Sequence, residues 1–179
     1  MNREEQKRII EALLFISEEP LNTGKIADVI LTSPEEAGMV VNELQQDLSA
    51  ERRGLQIIEV AGGYQMGTLP DLAPFLEAAF SEDVSSNLST AALEALAIIA
   101  YKQPVTRIEI ESIRGVRSEH VLDNLIKRKL IRISGRKEGP GRPLLYNTTP
   151  EFLKYFGLMD LNDLPPLETE NGEEPSEWG

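Results

Sequence analysis

A single pattern, written twice with a shift of 84 positions, restricts this chain more than any other feature. Leu14 falls on Ile98, Pro20 on Pro104, Leu21 on Val105, Ile26 on Ile110, Val29 on Ile113 and Val41 on Leu125. Self-similarity at a fixed offset points to a repeated structural unit. The competing explanation is that two unrelated amphipathic helix pairs, each closed by a proline turn, match by chance.

Each copy predicts the same order of elements. In the first, Ile9, Ile10, Leu13, Leu14 and Ile16 recur at helical spacing within 3–17, and Pro20 stops that helix. A short helix follows over 23–30, with Ile26, Val29 and Ile30 inward. Ser33-Pro34-Glu35-Glu36 then combines a capping serine, a proline at the first helical position and a glutamate three residues after the cap, which reads as a capping box opening a helix to about Ser49. Leu55, Ile57, Ile58 and Val60 form a β-prone run, Gly62-Gly63 turns it, and residues 64–68 pair back. Residues 70–80 predict one further amphipathic helix, through Leu72, Phe75 and Leu76.

The polar stretch 81–88 has no periodicity and is read as a linker. After it, Ser89 caps a buried helix ending before Pro104, Thr106 with Glu109 forms a second capping box, Gly115 breaks that short helix, and Ser118 opens a third. Two strand candidates, 130–134 and 144–148, flank a loop of glycine, proline and basic residues over 135–143. Thr149-Pro150-Glu151 starts a last helix that Gly157 stops. Three helices and a hairpin, twice over, is the winged-helix order. The expected fold class is therefore mostly α with small β-hairpins (α+β), as two tandem winged-helix domains. Residues 1–80 form the first domain, 81–88 the linker, 89–158 the second domain, and 159–179 an acidic tail, largely disordered.

Charge separates the segments further. The net charge of -12 divides into -10 over residues 1–88, +5 over 89–157 and -7 over 158–179. The third helix of the first domain holds Glu35, Glu36, Glu43 and Asp47 and no lysine or arginine, so it is expected to repel a phosphate backbone. The second domain mixes Glu119 and Asp123 with Lys127, Arg128 and Lys129, and its loop adds Arg136, Lys137 and Arg142. That suits an acidic protein surface, weak salt-sensitive DNA contact, or plain solvation.

Chemistry has little to work with. There is no cysteine and one histidine, His120, so thiol nucleophiles and a histidine–cysteine metal cluster are excluded. The loop 135–143 lacks the lysine–serine or lysine–threonine ending of a phosphate-binding loop and precedes a strand. No enzyme, no cofactor and no metal is expected. The longest apolar run, 95–101, is far below the roughly 18 residues needed to span a bilayer, and Met1-Asn2-Arg3-Glu4-Glu5 carries no signal-peptide core. A soluble cytoplasmic protein is expected. Tyr101, Tyr146, Tyr155 and Phe156 read as core residues or as exposed aromatic anchors for a partner.

The run from Ala91 to Pro104 (AALEALAIIAYKQP), followed by Thr106-Arg107, Glu109-Ile110, Ile113-Arg114-Gly115-Val116, Gly135-Arg136, Gly141-Arg142-Pro143, Tyr146, Thr148-Thr149-Pro150, Phe152-Leu153 and Phe156-Gly157-Leu158, closely resembles the bacterial segregation and condensation protein B family. Glu11 to Phe15 with Pro20-Leu21 is similar to that family's first helix and turn. The resemblance implies a non-catalytic subunit of the SMC condensin-like complex, associated with the nucleoid. Such a subunit dimerises through its first domain, binds the kleisin subunit (segregation and condensation protein A), and reaches the SMC ATPase through it. On the matching positions it implies that Tyr101, Lys102, Arg107, Arg114, Arg136, Arg142 and Tyr146 face or position a partner, although the arginines equally suit pairing within the domain. The rival reading is a winged-helix transcription regulator using the second domain.

Overall fold

The computed structural model describes residues 1–80 and 88–167. The expected linker, except Leu88, and the last part of the expected tail lie outside the described residues.

Local signals start most of the helices. Helix α1 (Arg3–Ile16) is capped by Asn2, whose side chain accepts the Glu5 N–H, and α2 (Thr23–Ile30) by Asn22, which accepts the Lys25 N–H. Helix α3 (Pro34–Ala50) starts at Ser33, whose hydroxyl accepts the Glu36 N–H. The return bond of the expected capping box is not made, because Glu36 turns instead to Arg3 on α1. Strands β1 (Leu55–Val60) and β2 (Gly63–Thr68) pair antiparallel with Ile57 opposite Met66. A bridge between Leu21 and Tyr64 fastens the turn after α1 to this hairpin. Ile10, Leu14, Ile26, Ile30, Val40, Val41, Leu44 and Ile57 fill the core between these elements.

Three expectations differ here. Ile16 and Val29, read as inward, are 74% and 44% exposed. Each sits at the edge of its helix's apolar arc, where one residue rotates the side chain by 100°. Residues 70–80 form a 3-10 turn (Pro70–Leu72) and then α4 (Ala73–Phe80), and none of residues 73–79 is buried.

The second unit repeats the plan with one addition. Helix α5 (Thr90–Lys102) is capped by Ser89, and a two-residue strand β3 (Val105–Thr106) precedes α6 (Arg107–Arg114). Thr106 and Glu109 make the full reciprocal capping box, and Gly115 closes α6 at φ 71°. Helix α7 (Glu119–Lys127), strands β4 (Ile131–Arg136) and β5 (Leu144–Thr148), and helix α8 (Pro150–Phe156) complete it. The sheet runs β3-β5-β4, so β5 is central, and a bulge lies between Ile133 and Gly135. A second, separate core holds Leu96, Ile99, Ile110, Leu122, Leu125, Ile131 and Phe152.

Order also extends past the expected start of the tail. Residues 159–167 include a 3-10 turn (Leu161–Asp163), capped by Asp160, and Leu164 packs against the second core. Leu158 also packs against that core.

Candidate partner-binding cleft

The loop between β4 and β5 rises from the strand ends and closes on itself. Lys137 N–H donates to Pro143 O at 2.9 Å and Arg142 N–H to Gly139 O at 3.2 Å. Its backbone takes positive φ at Gly139 (120°), Gly141 (75°) and Arg142 (39°). Glycine carries the first two at no steric cost, whereas Arg142 is held there by its neighbours. Arg136 donates from Nη1 to Arg142 O at 3.1 Å, so one guanidinium braces the backbone that displays the other.

Beneath the loop lies an open cleft of about 390 Å³, lined by Arg107, Ile108, Arg136, Pro140, Arg142 and Tyr146 among others. The capping box aims its α6 wall. Thr106 donates from N–H and Oγ1 to Glu109 Oε2, each at 2.7 Å, and Lys137 Nζ meets Glu109 Oε1 at 2.7 Å. With Lys137 and then the Thr106 donors stabilising its charged form, the Glu109 carboxyl falls to about 2. Arg107 reaches Glu119 at 3.1 Å and Glu111 at 3.9 Å. Tyr146, on the central strand opposite Val105 and Ile133, forms the floor and is 7% exposed. Burial raises its hydroxyl above the usual phenol range, against the opposing pull of Arg107.

Among the described residues, Arg136 and Arg142 form no ion pair, and both are exposed. Two guanidiniums, an apolar wall and a phenol floor suit a carboxylate-bearing or other anionic segment.

Four of the seven expected residues, Arg107, Arg136, Arg142 and Tyr146, therefore meet in one place. The other three do not line it. Arg114 lies within the unit, its side chain 5% exposed, bonded to Ser118 Oγ at 2.7 Å and to Glu94 at 3.1 Å. Tyr101 donates its hydroxyl to Pro165 O at 2.6 Å, holding the segment after the 3-10 turn. Lys102 is exposed in the last turn of α5. Sequence reasoning missed Ile108, which is 67% exposed. The signal was available: Ile108 and Ile110 are two apart, cannot share a helical face, and Ile110 is the buried one. His120 is exposed on α7, beside Asn124 and Arg128 in a shallow pocket, and makes no hydrogen bond among the described residues. Nor do the described residues hold a cluster of histidine, aspartate and glutamate that would bind a metal. No helix among them is long and apolar enough to cross a membrane.

The acidic helix α3 needs a correction. Arg3 pairs with Glu36 and Glu43, and Lys7 with Asp47 at 2.6 Å, so three of its four acids are matched by α1. The outward stripe is Glu35, Met39, Asn42, Gln46 and Ser49, nearly neutral and without a cation. Its argument against DNA thus rests on absent positive charge more than on repulsion.

Comparison with known proteins identifies the family. The family model for segregation and condensation complex subunit ScpB matches residues 8–167. Segregation and condensation protein B of Symbiobacterium thermophilum is 50% identical over 167 residues, covering 93% of this chain and 76% of that protein. Its counterpart in Geobacillus kaustophilus is 52% identical over 162 residues, covering 90% and 75%. Among solved structures, ScpB from Mycobacterium tuberculosis is 29% identical, covers 88% of this chain and 98% of that one, and superposes with a TM-score of 0.44. A dimer of the ScpB N-terminal domain complexed with a ScpA peptide is 40% identical over 42% of this chain and 95% of its own, with a TM-score of 0.41. With the family model spanning nearly all of both units and half of the aligned residues identical to those of two relatives, the chain belongs to the ScpB family of segregation and condensation complex subunits.

Proposed function

We propose that this chain is a non-catalytic adaptor in a bacterial SMC–kleisin complex, and that it grips the kleisin through the cleft under the β4–β5 loop. Each unit is a winged-helix domain in this reading, the first (1–80) for self-association and the second (89–158) for the kleisin, with 81–88 between them. The homodimer binds one kleisin and so contributes to chromosome condensation and segregation in the cytoplasm, at the nucleoid; contact with the SMC ATPase runs through the kleisin. Family membership supports the role. The observation that carries the site is the pair Arg136 and Arg142, exposed and without a carboxylate partner among the described residues, over the apolar side chain of Ile108.

Reversing both charges, Arg136→Glu with Arg142→Glu, should raise the kleisin dissociation constant roughly 30-fold while the fold persists. Isothermal titration at two salt concentrations reads this. Unchanged affinity in the double variant would remove the cleft from the interface. The basic second unit, at +5, favours DNA contact as the second reading. Tight, sequence-selective duplex binding near physiological salt would support it over the adaptor.

A further inference from the structure

The acidic segment 168–179 lies outside the described residues, but its composition is that of a ligand for the cleft on the second unit. Glu168, Glu170, Glu173, Glu174 and Glu177 give it five carboxylates in 12 residues with no lysine or arginine, and Trp178 is the only tryptophan in the sequence. Residues 89–157, in contrast, are net +5.

The cleft offers the complementary groups. Arg136 and Arg142 are exposed and form no ion pair among the described residues, whereas Arg107 and Lys137 beside them are each matched to a glutamate. Ile108, 67% exposed, lines the same cleft. A guanidinium takes a carboxylate through two parallel hydrogen bonds and stacks on an indole face, so a segment that sets glutamates beside a tryptophan meets both needs.

The end of the described chain lies within reach. Tyr101 donates its hydroxyl to Pro165 O at 2.6 Å, which ties the last described residues to the end of α5. Gln103, which caps that end, accepts the Thr148 N–H at 2.7 Å, so the tie lies near the C-terminal end of β5. Tyr146, two positions earlier on that strand and about 7 Å away, floors the cleft. Even laid end to end these links total about 30 Å, and twelve residues extend up to about 40 Å. Tethering then favours the contact, because a segment joined by a few residues to its own site meets it at millimolar effective concentration.

We propose that segment 168–179 occupies the β4–β5 cleft of its own chain, with its glutamates on Arg136 and Arg142 and the Trp178 ring against Ile108, so that a kleisin has to displace it. This rests on the kleisin reading of the cleft above and adds a built-in competitor to it.

Trp178 reports its own position, since no other residue gives indole fluorescence. In the full chain without kleisin its emission should be blue-shifted and its acrylamide quenching about three-fold weaker than in the free peptide 168–179. High salt, or Arg136→Glu with Arg142→Glu, should restore the peptide's values. Replacing all five glutamates of the segment by glutamine in the full chain should tighten kleisin binding about five-fold by isothermal titration. Circular dichroism checks the fold of each variant. A Trp178 that quenches as in the free peptide, or whose shielding ignores the charge reversal, would overturn the proposal. Kleisin affinity that falls on charge reversal yet ignores the glutamine replacements would overturn the competition. Kleisin affinity indifferent to both sets of changes, with Trp178 still released by the charge reversal, would remove the kleisin reading of the cleft and leave the contact within the chain standing.

Discussion

Arg114 and Arg142 are chemically identical and do opposite work. Arg114 is enclosed between α5 and α7, bonding Glu94 and Ser118, while Arg142 stands in solvent on a backbone of positive φ. Arg114→Ala should therefore destabilise the protein by about 1–3 kcal/mol, since it removes a buried guanidinium and leaves the buried Ser118 hydroxyl without its donor. Arg142→Ala should stay within about 0.5 kcal/mol. Urea unfolding distinguishes the two. A motif shows which residues recur, but the direction of a side chain is fixed by the phase of its helix against a neighbour, so sequence grouped these arginines together. Glu109 gives a pH signature. Its folded carboxyl sits at about 2, below the ordinary 4.5, so its contribution is complete above 4.5 and fades as pH falls toward 2. Glu109→Gln should be less stable than the parent at pH 7, and the gap should narrow by pH 3 in the same urea titration.

Elements were legible where a local signal decides them and obscure where a tertiary partner does. Ser33, Ser89, Thr106 and Thr149 each cap the helix that their spacing announces. Glu36 was misassigned because Arg3, 33 residues away, outcompetes the local return bond. Strand β3 was invisible because two residues carry no alternation; only pairing with Tyr146 and Leu145 defines it. The cleft is a similar case, since its wall comes from α6, its floor from β5 and its rim from a loop. The hairpin junction yields a sharper expectation. A Cβ at Gly63 would stand 2.8 Å from the carbonyl carbon and oxygen of Leu21, where the backbone is held by the Leu21–Tyr64 bridge. Gly63→Ala should cost about 2 kcal/mol, visible as a lower urea midpoint, because neither backbone segment has room to retreat. Gly67→Ala, whose added methyl meets nothing within 4 Å, is the control.

The whole molecule keeps its charges and its surfaces apart. One core carries α1 to α3 with the first hairpin, and a second carries α5 to α8 with a three-stranded sheet. Arg136 and Arg142, which form no ion pair among the described residues, stand on the second unit, while the apolar helix α4 belongs to the first. The proposed kleisin-binding cleft therefore belongs to the second unit. Native mass spectrometry of the chain mixed with its kleisin tests that directly. Two copies with one kleisin are predicted, reduced to free dimer when Arg136 and Arg142 are reversed to glutamate. A parent chain that forms no kleisin complex, or a charge-reversed one that forms it equally well, would contradict the account.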